Sequence, residues 1–464
     1  MNYMPLSASI STLKINRLAN NIVAIAVFAF LALTTSLKAQ TNSVSPLSID
    51  GIGETQYGLT PSFLGLGSTG IAYSDRYSIN LLNPAGLTNM DYTTMEMSGA
   101  HRSFRQQVIS EGINQTNHNS YFDYFGFGFK LNDYFAAAVS LNPYAAKGFS
   151  ISVADSSEDF GVYEYRSVGS GGYDAMTFGL AVEPVKWFSA GANVKYIFGE
   201  ETVANKSIIA DNTFLSVSKT VQTGLNDFTF DFGAQFRGKI GQYHINAGAI
   251  YGLGGEMNAR EIGTQYSFIN SGIVETPIDT LYYNLAQGGS MVLPTSYGVG
   301  ISLSKAVPEL PVNAWDIVAD YNVVNWNEFS PFAANGEPRL YPNLSMSERI
   351  SVGAVMVPAY TIPGLDRTTN YFAITRYRIG WSREIGQYHW GDQSYVVQQL
   401  SLGMSLPIIY RSLAPGEQKA SFLNISIGAG QRWDGVDSHL KEDFLNFNLG
   451  ITLNDKWFQK FRYR

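Results

Sequence analysis

Along most of the chain, apolar and polar residues alternate with a period of two. Between Asn226 and Arg237, Phe228, Phe230, Phe232, Ala234 and Phe236 share one face, and Asp227, Thr229, Asp231, Gly233 and Gln235 share the other. The next run sets Tyr243, Ile245, Ala247, Ala249, Tyr251 and Leu253 against His244, Asn246, Gly248 and Gly252, with Ile250 the one exception on the polar side. Near the end, Leu445, Phe447, Leu449, Ile451 and Leu453 alternate with Asn446, Asn448, Gly450 and Thr452. Successive side chains of a strand point to opposite faces, so each run is a strand with one greasy and one polar or small face.

Fourteen such runs follow one another, at about 93–105, 121–131, 134–143, 173–184, 187–199, 226–238, 243–255, 295–304, 313–324, 348–357, 374–384, 396–408, 420–430 and 443–453. Their length suits a tilted transmembrane strand, which needs about 9–11 residues. The even number suits a single-chain bacterial barrel. The connections repeat the message, because long ones (106–120, 144–172, 200–225, 256–294) alternate with short ones (Asn132-Asp133, Pro184 to Lys186, Lys239 to Gln242, Lys305 to Val312). Outer-membrane barrels have long outer loops and short periplasmic turns. The stretches 358–373 and 409–419 break this rule, being long where short turns are due. The pattern predicts an all-β chain: a 14-stranded antiparallel transmembrane β-barrel over 93–464. A soluble sandwich would not need its connections to alternate, and no repeat of blade length marks a propeller.

The first 39 residues read as an address. Lys14 and Arg17 precede the apolar run Ile22 to Leu33, and Thr34 to Ala39 forms a small-residue region with the cut expected after Ala39. Twelve apolar residues are too few to span a bilayer, which takes roughly 20. This predicts a signal peptide over 1–39 and export to the outer membrane of a Gram-negative bacterium.

Composition narrows the picture. Charged residues are 15% of the chain, aromatics 14%, and there are 45 glycines. Soluble proteins carry about 25% charged residues, whereas a lipid-facing sheet with aromatic girdles needs fewer. The formal charge of −7 and the lack of a basic patch exclude a nucleic-acid partner. With no cysteine at all, disulfides, thiolate metal sites and a lipoprotein anchor drop out.

Residues 40–92 show no sustained alternation. They are small, apolar and glycine-rich, too apolar for a periplasmic linker, and the lumen is their expected place, as a plug. Here a resemblance enters. "GLGSTGIAYSD" (Gly65 to Asp75) followed by "NPAGL" (Asn83 to Leu87) resembles the N-terminal hatch signature of the FadL-type long-chain fatty acid transport family. "LPTSYGVGISL" (Leu293 to Leu303) and "WDIVADYNVVNWNEF" (Trp315 to Phe329) resemble that family's later strands, and "GITLNDKWFQKF" resembles members from Bacteroidetes-like lineages. The resemblance implies a fourteen-stranded barrel, a lumenal hatch, and diffusion of a hydrophobic molecule past it, with exit into the periplasm or sideways into the membrane. It carries Asn83, Pro84 and Ala85 over as the NPA element, with Phe63, Leu66, Ile71 and Leu81 as hatch residues along the passage. The basic tail Lys460 to Arg464 departs from the terminal aromatic of most barrels.

Other chemistry is weak. Gly65 to Gly70 satisfies G-x-G-x-x-G, but Thr60-Pro61 before it and Asn83-Pro84 after it give no strand-to-helix context for a dinucleotide. His101, His118, His244, His389 and His439 lack metal spacing, and Asp155, Glu158 and Asp159 read as solvated loop charge. No catalytic residue, metal ligand or cofactor is expected. Arg376 and Arg378 alternate with Tyr377 and Ile379, which places two cations in the lumen. They would meet a substrate carboxylate or, as the stronger expectation, neutralise Asp227, Asp231, Asp316 and Asp320. The leading expectation is a transporter of hydrophobic compounds such as long-chain fatty acids, with the substrate and outer-membrane lipids as partners. The alternative is a PorV-like barrel that binds cargo as a partner of a type IX secretion system.

Overall fold

The computed structural model describes residues 43–455 apart from 159–160, 212, 271–273, 308–312, 334–343, 359–370, 391–392 and 415–416. The expected signal peptide and the basic tail at 460–464 lie outside the described residues.

Fourteen strands close into one antiparallel barrel: β1 Thr93–Val108, β2 Ile113–Lys130, β3 Phe135–Ala146, β4 Gly161–Val185, β5 Phe188–Ile209, β6 Ser216–Ile240 and β7 Tyr243–Leu253, then β8 Ser296–Ala306, β9 Asn313–Val324, β10 Ser347–Met356, β11 Arg376–Trp390, β12 Gln393–Ala414, β13 Glu417–Trp433 and β14 Leu440–Asp455. Closure is made by β14 on β1, in register from Leu440↔Val108 to Asp455↔Thr93. Closure pairs every strand with a neighbour on each side, because an unsatisfied backbone group facing lipid would cost several kcal/mol.

The faces are inverted relative to a soluble protein. Phe228, Phe230, Phe232 and Phe236 of β6 all point outward and are exposed, as are Val299 and Ile301 of β8 and Leu400 and Leu402 of β12. Inward positions are polar or small and buried, among them Ser302, Asp316, Asp320, Ser351, Ser401 and Asn424. Only a lipid solvent makes this arrangement favourable.

Two expectations are corrected. The long outer connections are largely strand: β4 and β6 run for 25 residues each, and Gly255–Asn270 pairs with Glu275–Leu293 as a hairpin that continues the wall beside β6. Above the membrane neither face meets lipid, so the alternation that marks a strand fades while its hydrogen bonding goes on. The stretch 409–419 is no long connection either, because β12 and β13 pair through Ala414↔Glu417. Most of 358–373 lies outside the described residues.

One seam in the wall is short. β2 and β3 register only from Phe125↔Leu141 to Lys130↔Ala136. Beyond that point β3 passes a register shift between Pro143 and Ala145 in its pairing with β4. Its end then pairs with a two-residue strand of the N-terminal segment, through Glu54↔Ala146 and Thr55↔Ala145.

Candidate functional site

Residues 43–92 lie against the inner faces of the barrel strands, and most of them are buried. Three short turns shape them. Ser45 caps the 3-10 turn Pro46–Ile49, Pro61–Leu64 forms one helical turn, and Asn83 caps the 3-10 turn Pro84–Asn89. In each, proline occupies a first-turn position where its missing N–H costs nothing. The Asn83 side chain accepts from Ala85 N at 3.1 Å, the usual service of an N-cap asparagine.

The segment lies directly on the backbone of the wall because the wall offers glycine there. A Cβ on Gly380 of β11 would sit 2.0 Å from Gly67 N, one on Gly248 of β7 2.1 Å from Ile71 O, and one on Gly233 of β6 2.1 Å from Asn83 Oδ1. Glycine within a strand marks such a close approach. Side chains of the wall complete the seating. Asp320 of β9 accepts from Gly70 N at 2.7 Å and Ile71 N at 3.0 Å. Asn193 of β5 donates to Leu81 O at 2.7 Å, and Glu96 of β1 accepts from Ile79 N at 3.0 Å. Asn83 Nδ2 donates to Ile71 O at 2.7 Å and to Ala234 O at 3.2 Å. The NPA element thus ties one stretch of the segment to another and to β6.

Two charge clusters hold the segment. Asp75 pairs with Arg376 and, at 3.5 Å, with Arg378. Glu54 pairs with Arg102 at 3.2 Å and with Arg432, which also reaches Glu442 at 3.4 Å. Burial by itself would push the Asp75 carboxyl up, but Arg376 and then Arg378 draw it below the usual aspartate value. Burial opposes ionisation of Glu54 in the same way, and Arg432 and Arg102 outweigh it. Three of the four aspartates expected to neutralise Arg376 and Arg378 are engaged elsewhere, and Asp316 acts on both arginines only from a distance. Asp231 pairs with Lys195, Asp227 accepts from Asn258 N at 2.8 Å, Asp316 accepts from Asn313 at 2.6 Å, and Asp320 holds the backbone of the segment. The sequence placed the cations in the lumen but could not show that their partner lies on the segment.

Above the segment, toward the long-loop end, is a cavity of about 180 Å³. Leu81, Leu82, Tyr144, Ile250, Val324 and Trp326 give it apolar wall, and Lys195, Asp231, Arg349 and Glu384 give it polar wall. Of the nominated residues, only Leu81 lines it. Phe63 and Leu66 pack instead in a buried cluster with Leu59, Tyr73, Val318 and Val355, and Ile71, Asn83, Pro84 and Ala85 are buried at the glycine contacts. Ile250, the apolar residue on the polar side of its strand, is the signal that marked the cavity in the sequence. Among the described residues no cluster of His, Asp and Glu could hold a metal ion.

The fold recurs in solved structures. The P. putida toluene transporter TodX matches with a TM-score of 0.54 at 12% identity, over 86% of this chain and 99% of that one. A Pseudomonas aeruginosa FadL homologue matches with a TM-score of 0.53 at 11% identity, over 87% and 100%. The CymD monoaromatic hydrocarbon channel matches with a TM-score of 0.52 at 13% identity, over 88% and 100%. At these identities the likeness is one of fold. No curated protein matches the sequence significantly. The BamG family model matches residues 21–464, nearly the whole chain, and the protein therefore belongs to the BamG family.

Proposed function

We propose that the protein is an outer-membrane barrel that passes hydrophobic compounds through its lumen, with residues 43–92 as the hatch. The observation that carries this reading is the cavity, which has apolar wall from Tyr144, Ile250, Val324 and Trp326 and is floored by Leu81 and Leu82 of the segment itself. A concave apolar site with a few convergent polar groups is what a small apolar ligand needs. Asn142 and Tyr144 line it from the part of β3 beyond its registered seam with β2, so a displaced hatch would open the cavity downward or toward that seam. The solved barrels of this fold include proteins described as toluene transporters and a monoaromatic hydrocarbon channel, which fits an apolar cargo. Long-chain fatty acids remain the cargo that the hatch motifs suggest.

A second reading, a barrel that works as an assembly or secretion partner, is favoured by the wall above the membrane. The outer strand of its hairpin exposes Ile278 at 52%, Leu281 at 53% and Tyr283 at 59%. Uptake separates the two. Cells carrying the protein should take up labelled toluene or palmitate across their outer membrane faster than cells lacking it. Equal uptake, with a protein co-purifying in stoichiometric amount, would decide for the partner reading.

A further inference from the structure

The N-terminal segment packs as two pieces that meet at Gly58, whose φ of +59° is one that glycine adopts without strain. Before that point, Leu47 packs with Tyr388, Tyr395 and Leu440, and the fully buried Ile52 packs with Tyr173, Ile197, Leu293 and Trp326. After it, Leu59, Phe63, Leu66, Ile79 and Leu81 pack in other clusters. Among the described residues no buried apolar cluster contains both a residue of 43–58 and a residue of 59–92. The first piece is tied to the wall at the long-loop end. Ser45 Oγ donates to Glu442 Oε1 at 2.7 Å, Gln106 Nε2 to Val44 O at 2.9 Å and Lys147 Nζ to Gly51 O at 3.1 Å. Glu54 pairs there with Arg102 and Arg432. Gln106 and Glu442 stand at the outer ends of β1 and β14, whereas Trp326, just past β9, stands across the ring from them. Residues 43–58 therefore cross the outer mouth as a strap. Thr55, Gln56, Tyr57 and Gly58 of the strap line the 180 Å³ cavity, whose floor, Leu81 and Leu82, belongs to the second piece.

We propose that residues 43–58 form a lid at the outer side of the cavity that opens as a unit of its own while 59–92 stay seated, held shut by Glu54 between its arginines and by Ile52 in its apolar seat. Proteins open locally in contiguous cooperative units, and shared burial is what makes residues open together. The strap and the rest of the segment share a chain but no apolar cluster, so the loss of one leaves the packing of the other intact. Lifting the strap removes one side of the cavity and keeps its floor. This deepens the transport reading by giving the cavity an outer door separate from the seated hatch, and it rests on that reading only for the purpose of the opening.

The chain has no cysteine, so a single introduced thiol reports on one place only. The test is the rate at which a charged maleimide labels the full barrel in detergent, with the reporter Ser48→Cys in the strap or Ser62→Cys beyond it. Both serines are buried, and Ser62 Oγ makes no hydrogen bond that the change would break. Glu54→Gln and, separately, Ile52→Ala should each speed labelling at position 48 at least tenfold and leave position 62 unchanged. Asp75→Asn should do the opposite. A heat-modifiable gel shift retained by each variant shows that the barrel is folded, and Ile52→Ala carries the test alone if Glu54→Gln fails to fold. Labelling that rises at both positions together, or a rate at position 48 that neither strap variant moves, overturns the lid. These rates involve no cargo, so cells that fail to take up toluene would count against the transport reading and leave the lid standing.

Discussion

The two ends of the β10–β11 ladder carry the same buried group and treat it differently. At the periplasmic end Arg378 lies opposite Val355, and at the outer end Arg349 lies opposite Glu384. Both arginines are almost fully buried. Arg378 meets Asp75, a charge supplied by the N-terminal segment, whereas Arg349 meets an aromatic face of the same segment, its guanidinium 3.8 Å from the Tyr57 ring centroid, with Glu384 opposite on the neighbouring strand. Both cations therefore help to seat the segment, one through a charge and the other through a ring. The segment thus answers a buried cation with a carboxylate at one end of the ladder and with an aromatic face at the other.

That contrast orders the mutational effects. Asp75→Asn removes the carboxylate that Arg376 and Arg378 share, and breaking a buried pair costs about 3–5 kcal/mol. Its midpoint on a heat-modifiability gel should fall further than that of any other single change considered. Gly380→Ala drives a methyl group into the backbone at Gly67, and overpacking of this kind costs about 1–3 kcal/mol. Limited proteolysis should then cut within 43–92. Asn83→Ala removes a cap worth about 1 kcal/mol along with the tie to Ile71, and should loosen the same segment by less. Arg349→Met leaves Glu384 without the cation opposite it and Tyr57 without its stacking partner, and it should cost less than Asp75→Asn because no direct ion pair is broken. A large loss in that variant would dissolve the comparison.

Acid should act at the same end of the lumen as Asp75→Asn. The folded Asp75 carboxyl titrates below its ordinary value of 3.8, so its contribution is complete above that pH and fades as pH falls below it. The difference in protease sensitivity of 43–92 between the native protein and Asp75→Asn should therefore stay constant from neutrality to about that value and shrink only beneath it.

The barrel was legible because lipid imposes a rule on every second residue, and β6, β7 and β14 obey it openly. Strand length was not legible above the membrane, where β4 through β6 lose their apolar face and read as loops. The inward direction of Arg376 and Arg378 followed from alternation, but their partner did not. Asp75 sits in a segment without periodicity, and nothing local says which wall it faces. Arg349 alternates inward just as plainly. Its partner, the Tyr57 ring, sits in the same aperiodic segment as Asp75, and only the packed structure brings the two together.

The most direct test of the account is early-time uptake of labelled toluene by cells carrying the native protein or Asp75→Asn, at a temperature where both barrels remain folded. Releasing the Asp75 latch should free the hatch and raise the uptake rate above the native one. Equal rates in both, no faster than in cells without the protein, would contradict gated passage and leave the barrel's work to its outer wall.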